Sequence, residues 1–157
     1  MRTHRPIEKT PAQWPQLPNT VPGDADGGNG SIRVLIADDN LQLLELLANR
    51  LRGKGCVVDL ASDGEAAWES LRTGSFDLLI TDNDMPRLKG LDLVRRMRAQ
   101  SLTHPVILIS GKMHWSDPEL FGLLAPGTAL SKPFSISELL RKMNELLPCV
   151  AQNETNG

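Results

Sequence analysis

The sequence predicts an α/β domain in which a five-stranded parallel sheet is covered by helices on both faces. Five short apolar runs, mostly rich in β-branched residues, alternate along the chain with five segments that favour helix. The connections between these segments are short, and the runs are apolar enough to be buried on both sides. Such alternation is typical of a parallel sheet whose crossover helices pack on its two faces.

The first half of this pattern contains two strands and two helices. A buried strand is predicted over 32–37, and Asn40 fits the N-cap of a helix over 41–52 that carries one apolar face. Two glycines end that helix. A second strand is predicted over 57–61, and an Asp-Gly turn then leads into a short helix over 65–72.

The second half continues the alternation through three more strands. Its predicted elements are strand 78–81, helix 91–100, strand 106–109, a weaker helix 117–124 and strand 128–131. The last helix, over 136–147, has the clearest apolar stripe. Ser135 and Glu138 fit a capping box at its start, and Pro148 closes it.

Composition divides the chain into a domain and two flanking segments. Residues 1–30 are rich in proline and glycine and are expected to form a flexible arm, 31–148 to form the domain, and 149–157 to form a short flexible tail. A stand-alone domain without an output domain is expected.

Charge and hydropathy exclude several classes of partner. The formal net charge of -2 argues against direct nucleic-acid binding, and Arg95, Arg96 and Arg98 are interpreted as the solvated face of a helix. No run of 18 apolar residues predicts a membrane helix, and the polar N-terminus does not resemble a secretory signal. A cytoplasmic location is therefore expected.

Five residues with charged or hydroxyl side chains follow the predicted strands. They are Asp38 and Asp39 after the first strand, Asp82 after the third, Ser110 after the fourth and Lys132 after the fifth. Each alone has an ordinary explanation, such as a helix cap or a solvated lysine. If these four strands lie side by side, however, their carboxyl ends bring the five side chains to one edge.

Clustered carboxylates repel one another unless a cation offsets their charge, and oxygen ligands with room for water suit Mg²⁺. A carboxylate beside such a cation can attack phosphorus as a nucleophile. A lysine and a hydroxyl can then stabilise the oxygens of the transferred phosphoryl group. The residues at the strand ends therefore predict phosphoryl chemistry at Asp82.

The runs Ile-Ala-Asp38-Asp39-Asn40 and Ile-Thr-Asp82-Asn83-Asp84-Met85-Pro86, with Ser110 and Lys132-Pro133-Phe134, resemble the receiver domain of two-component response regulators. The resemblance covers about 32–147. It implies a flavodoxin-like strand order, 2-1-3-4-5. It also implies a phosphoprotein, not an enzyme, that promotes only its own phosphorylation and dephosphorylation.

The resemblance implies a role for each motif residue. Asp82 would accept a phosphoryl group from a phosphohistidine, on a sensor histidine kinase or a histidine phosphotransfer protein. Lys132 would pair with the carboxylate and then with the phosphoryl group, and Ser110 would move toward it. The Lys132–Pro133 peptide bond would be cis.

The resemblance also implies a metal site. Asp39 and Asp82 would bind Mg²⁺ directly, the backbone carbonyl of Asp84 would add a ligand, and Asp38 would act through water. Mn²⁺ would be able to substitute. The output would be an altered surface for an unknown downstream protein, with dimerisation on phosphorylation as a further expectation.

One position departs from the receiver pattern. Receivers usually carry an aromatic residue on the fifth strand that turns inward on activation, and this chain has Ala129 there. Either the output surface responds differently, or another group takes part, such as Trp115 or the loop 112–117. Asp84 and Lys112 flank the site at positions where the family tunes the lifetime of the phosphoryl group.

Two alternatives remain open at this point. Asp82-Asn83-Asp84 is also the Asp-x-Asp pattern of haloacid-dehalogenase-like phosphatases, although a lysine stands where those enzymes carry a late acidic motif. The chain could also be a non-phosphorylated interaction module of the same fold. Repeated turnover of phosphomonoesters would indicate the first, and no response to acetyl phosphate or beryllofluoride with Mg²⁺ would indicate the second.

Overall fold

A computed structural model of the chain describes residues 31–112 and 116–147, in which five strands alternate with five helices. In chain order the elements are β1 Arg33–Ala37, α1 Leu41–Gly53, β2 Val57–Ala61, α2 Gly64–Thr73, β3 Leu78–Asp82, α3 Gly90–Ala99, β4 Val106–Ser110, α4 Pro118–Leu124, β5 Thr128–Ser131 and α5 Ile136–Leu146. All ten predicted elements are present in the predicted order.

The five strands form one parallel sheet in the order β2-β1-β3-β4-β5, which confirms the predicted fold. β1 and β3 are neighbours, with Ala37 opposite Thr81, and β3 is followed by β4 and then β5. The strands that end in Asp82 and Ser110 therefore lie next to each other. This order places the carboxyl ends of β1, β3, β4 and β5 side by side.

Alternating strand residues fill two apolar layers, one on each face of the sheet. Leu35, Leu79 and Leu108 belong to the layer that contains buried residues of α2, α3 and α4. Ile36 and Ile80 belong to the opposite layer, which contains buried residues of α1 and α5. Burial of both faces explains why the strands read as nearly continuous apolar runs.

The predicted and observed boundaries differ by one residue at several ends. The predictions ended the third and fourth strands before Asp82 and Ser110, but both residues complete their strands. Backbone pairing causes this difference, because Asp82 lies opposite Ile109 and Ser110 lies opposite Ser131. The two functional side chains therefore project from the sheet itself.

Side-chain caps fix the starts of four helices, and at α4 the cap is Asp117, which accepts from the Glu119 N–H. Asn40 accepts a hydrogen bond from the Leu43 N–H, as predicted, and Asp63 does the same for the Ala66 N–H at the start of α2. At α5 the Ser135 hydroxyl accepts from the Glu138 N–H at 3.1 Å. Each cap satisfies a backbone donor that the first helical turn leaves without an intrahelical acceptor.

The surroundings of the arginines on α3 contradict part of the prediction that these residues form a solvated helix face. Arg95 is exposed and pairs with Asp92, in agreement with a solvated face. Arg98 instead points its guanidinium at backbone carbonyls of neighbouring segments, and Arg96 lies over the Trp68 ring. The interpretation of all three as one solvated face is therefore wrong for Arg98.

Four predictions fall on residues outside the described ranges. They are the arm over 1–30, the closure of the last helix by Pro148, the tail over 149–157 and the participation of Trp115, and they stay predictions. Among the described residues, no helix combines the length and apolar character needed to span a membrane.

Candidate functional site

Three carboxylates meet at the carboxyl edge of the sheet. Asp38 and Asp39 follow β1, and Asp82 ends the neighbouring strand β3. Each contributes an oxygen to a group in which all such oxygens lie within 4.8 Å of one another. Asp38 and Asp82 are buried, while Asp39 is exposed, so the cluster is open to solvent on one side.

The environment of Asp38 opposes its negative charge. Burial is the largest effect and raises the pKa of the Asp38 carboxyl from 3.8 to about 6. A backbone hydrogen bond from Asn40 N–H and the charge of Lys132 favour the ionised form, whereas the charges of Asp82 and Asp39 disfavour it. Without an added cation, this carboxylate is therefore destabilised near neutral pH.

Lys132 supplies the positive charge of the site. It follows β5, and its Nζ lies 2.7 Å from Asp82 Oδ1. Burial acts to lower the pKa of the Lys132 ammonium, but the hydrogen bond and charge of Asp82, followed by the charges of Asp38 and Asp84, outweigh it and raise the pKa. Lys132 is therefore charged at physiological pH.

The two oxygens of Asp82 have different surroundings. Oδ2 accepts a hydrogen bond from the Asp84 N–H at 2.9 Å, which fixes the orientation of the carboxylate. Oδ1 is buried, and its partner among the described residues is the Lys132 ammonium. Asp82 therefore keeps one oxygen with acceptor capacity to spare.

A closed loop carries the backbone of Asp84. The Gly90 N–H donates to the Asn83 carbonyl at 3.1 Å, and the Asn83 side-chain oxygen accepts from the Leu91 N–H at 2.9 Å. A Cβ atom at Gly90 would overlap the Asp82 carbonyl oxygen, so this position has space only for glycine. The loop is thereby held against the end of β3.

Ser110 ends β4, beside β3, and is buried. Its hydroxyl oxygen accepts a hydrogen bond from the Lys112 N–H at 3.1 Å, at the start of the segment that leads to α4. The backbone N–H of Lys132 donates to the Ser110 carbonyl at 3.1 Å, which joins the ends of β4 and β5. Ser110 thus connects the carboxyl edge of the sheet to the loop before α4.

The donor set at this edge fits a magnesium ion. The three clustered side chains offer only carboxylate oxygens, which are the ligands that Mg²⁺ prefers, and exposure of Asp39 leaves room for the waters that the ion retains. The spare acceptor capacity of Asp82 Oδ1 agrees with a cationic ligand. Asp38, Asp39 and Asp82 are the side chains that could hold the metal.

The structure thus brings Asp38, Asp39, Asp82 and Lys132 together, and it places Ser110 at the end of the neighbouring strand β4. The Lys132–Pro133 peptide bond is cis, which is the isomer that the resemblance implies. Ala129 is buried on β5 and packs in the layer that contains Leu120 and Leu124 of α4.

The positioning roles of two residues, Asn83 and Gly90, were not predicted from the sequence. Asn83 lies inside the recognised motif. Its hydrogen bond from the Leu91 N–H forms only when the loop closes, and local sequence patterns do not predict that closure. The Gly90 contact similarly depends on how the loop folds back on β3.

The chain is similar to known proteins over its described part. The family model of the response regulator receiver domain matches residues 34–144. Response regulator protein PmrA of Pseudomonas aeruginosa is 37% identical over 116 residues, which are 73% of this chain and 52% of that protein. Response regulator MprA of Mycobacterium ulcerans is 36% identical over 118 residues, covering 74% and 50% respectively. The chain thus spans about half the length of the curated relatives it matches.

Solved structures agree in fold. The receiver domain of Francisella response regulator 1452 has a TM-score of 0.68 and 30% identity, and the match covers 74% of this chain and 96% of that one. Response regulator TrrA of Thermotoga maritima, solved in complex with Mg²⁺ and BeF, has a TM-score of 0.66 and 29% identity, covering 74% and 99%.

Proposed function

Because the chain belongs to the response regulator receiver domain family of two-component systems, we propose that it accepts a phosphoryl group on Asp82 from a phosphohistidine. One observation carries this proposal. The Asp82 carboxylate is buried between a lysine ammonium 2.7 Å away and the carboxylates of Asp38 and Asp39. This arrangement combines a nucleophile with charges of both signs at the point where phosphoryl transfer needs them.

In the proposed reaction, a carboxylate oxygen of Asp82 forms a bond to phosphorus while the phosphorus–nitrogen bond of the phosphohistidine breaks. The bonding electron pair stays on the imidazole nitrogen, and an acyl phosphate results. The Asp84 N–H orients the attacking carboxylate through Oδ2. Lys132, and the Ser110 hydroxyl after it turns toward the site, would stabilise charge on the phosphoryl oxygens.

We assign Asp39, Asp82 and the backbone carbonyl of Asp84 as direct ligands of Mg²⁺, with Asp38 acting through water. When bound, the ion neutralises charge on the carboxylates and on the phosphoryl oxygens. Mn²⁺ is expected to substitute. The Thermotoga relative was solved with Mg²⁺ and BeF, which supports the choice of metal.

The partners follow from the proposed reaction. The phosphoryl donor is a sensor histidine kinase or a histidine phosphotransfer protein, and the readout is a changed surface that a downstream protein or a second copy recognises. The chain itself acts as a phosphoacceptor that promotes only its own phosphorylation and dephosphorylation.

The test is transfer of radiolabelled phosphoryl from a panel of phosphorylated histidine kinases and phosphotransfer domains, with Mg²⁺ present. At most one phosphoryl group per chain is expected, and Asp82→Asn should abolish it. Asp92→Asn, an exposed carboxylate on α3, is the matched control and should be labelled normally. Repeated hydrolysis of a small phosphomonoester by each chain would instead indicate a phosphatase of the haloacid-dehalogenase type.

A further inference from the structure

The loop that follows Asp82 rests on the first residue of α2. A Cβ atom at Gly64 would overlap the Leu88 carbonyl oxygen and would lie 2.6 Å from Leu88 Cβ. The contact forms only because Gly64 has no side chain, so that the loop backbone can approach the helix backbone closely. The segment 83–89 is therefore supported by the amino end of α2, a helix that contributes no side chain to the carboxylate cluster.

Asp63 contributes to both sides of this contact. Its Oδ1 accepts from the Ala66 N–H at 2.8 Å and thereby caps α2. Its Oδ2 lies 3.6 Å from Nε of Arg87, which belongs to the loop. Because the Arg87 side chain is largely exposed, this ion pair alone is weak. We therefore expect the backbone contact at Gly64 to contribute more of the support.

Arg87 has a backbone conformation that needs such support. Its φ is 72°, in the left-handed region that residues with a side chain rarely adopt. Across it, the Leu88 N–H donates to the Pro86 carbonyl at 2.8 Å, which closes a tight three-residue turn. A turn of this kind persists only where the surrounding structure holds it. The ion pair at Asp63 and the contact at Gly64 adjoin the turn directly.

The beginning of the same loop carries the proposed backbone ligand of the metal. The Asp84 N–H donates to Asp82 Oδ2 at 2.9 Å, which ties this part of the loop to β3. The next residue, Met85, is buried in the layer that contains Ala67 and Leu71 of α2. A loop that is held at both β3 and α2 leaves the Asp84 carbonyl little freedom to move.

We propose that Asp63 and Gly64 are positioning residues of the metal site, which hold the loop 83–89 so that the Asp84 carbonyl meets Mg²⁺ beside the carboxylates. This inference rests on the proposed function, because it explains how the proposed backbone ligand is kept in place. Four strand ends supply the side chains of the site. The end of β2 supplies the support for the loop.

An NMR titration of the Asp84 amide with MgCl₂ tests this proposal, together with amide hydrogen exchange of the metal-free protein. In Gly64→Ala the new methyl group displaces the loop from α2. We expect the Mg²⁺ affinity to fall by about tenfold, as it does when groups that orient a metal ligand are lost. In the metal-free variant the Asp84 amide should exchange at least about tenfold faster than in the wild type.

Gly127→Ala is the matched control for loss of stability. A Cβ atom at Gly127 would meet the carbonyl oxygens of Val106 and Leu124, at the amino end of the sheet. This variant should also unfold at a lower temperature, but it should keep the wild-type Mg²⁺ affinity and the wild-type exchange at Asp84. Equal losses of Mg²⁺ affinity in the two glycine variants would overturn the proposal.

Arg87→Gln and Lys89→Gln separate positioning from charge, and they keep the proposal testable if Gly64→Ala does not fold. Each removes one positive charge from the same loop, which by charge alone should strengthen Mg²⁺ binding. Lys89 is exposed and has no ion pair with another described residue, so its variant reports the effect of charge.

Arg87→Gln also loses the contact with Asp63. It should therefore bind Mg²⁺ at least about twofold more weakly than Lys89→Gln, in line with the small energy of an exposed ion pair. Equal or tighter binding by Arg87→Gln would count against the proposal.

The Asp84 amide also separates this inference from the proposed function. It donates to Asp82 Oδ2, so its resonance reports occupation of the site. A wild-type protein whose Asp84 amide does not respond to Mg²⁺ would contradict the proposed metal site and, with it, this inference. A wild-type response together with an unchanged Mg²⁺ affinity in Gly64→Ala would contradict this inference alone.

Discussion

The ammonium of Lys132 reaches from partly exposed surroundings to within 2.7 Å of Oδ1 on the buried Asp82 carboxylate. The pair places the positive charge of the site directly on the proposed nucleophile. Lys132 also competes with a metal ion, because both cations are attracted to the same cluster of carboxylates. The balance between these two cations underlies the first prediction.

Lys132→Met should strengthen Mg²⁺ binding several-fold while weakening the phosphorylation-dependent change of the surface. Removal of the ammonium leaves the three carboxylates with less positive charge, so that the metal meets less repulsion. Isothermal titration calorimetry measures the Mg²⁺ affinity directly. Lys142→Met on α5 is the control and should leave the affinity unchanged. Weaker Mg²⁺ binding by Lys132→Met would contradict this prediction.

Magnesium affinity should fall as the pH drops below about 6, the pKa that burial gives Asp38. Below this pH the metal-free protein holds a proton on Asp38, and the metal must displace that proton to gain the full charge of the cluster. The loss should approach about tenfold per pH unit at most. Titrations between pH 5 and 7.5 measure it, with Asp38→Asn as the variant in which the dependence flattens. Equal affinities at both ends of this range would exclude the proposed linkage.

Asp38→Asn should stabilise the metal-free protein at neutral pH. The folded-state pKa of Asp38 is raised from 3.8 to about 6, so its unfavourable charge is fully present above this range and disappears below it. The free energy of unfolding should therefore rise by about 1–3 kcal/mol at pH 7.5 and change little near pH 3.5. Urea unfolding in the presence of EDTA measures both. A destabilised variant at pH 7.5 would show that the buried charge is better satisfied than its surroundings indicate.

Gly90→Ala should destabilise the fold by more than about 2 kcal/mol and slow labelling of Asp82, because the new methyl group would meet the Asp82 carbonyl. Gly53→Ala is the matched control. A Cβ at Gly53 meets no atom within 4 Å, and alanine there should be neutral or stabilising by about 0.5–1 kcal/mol. Thermal unfolding of the two variants compares them. Equal effects would mean that the loop readily moves away from β3.

Sequence periodicity predicted the strands, the helices and the residues at the strand ends, and the resemblance to receiver domains supplied the strand order. The alternation of apolar runs and helical segments placed Asp38, Asp82 and Lys132 at strand ends, and the parallel sheet brings those ends together. The prediction succeeded because the positions of these side chains depend on strand order alone. No detail of packing was required.

The features that the sequence did not predict depend on contacts between distant segments. Arg98 looked like a member of a solvated basic run, yet two of its acceptors lie 25 and 26 residues further along the chain. The space at Gly90 and the bond from Leu91 to Asn83 arise only when the loop closes on β3. Local sequence patterns do not predict such contacts between distant segments.

The most direct test of phosphoacceptor function is the intact mass of the chain after incubation with acetyl phosphate. With Mg²⁺ present, we expect wild-type protein to gain the mass of one phosphoryl group, mapped to Asp82 by peptide analysis. When EDTA is present during the incubation instead, we expect no gain in mass. Asp82→Asn should gain none, and Asp92→Asn should behave like the wild type. An unmodified wild type, or an Asp82→Asn variant labelled at the wild-type rate, would contradict the assignment of Asp82.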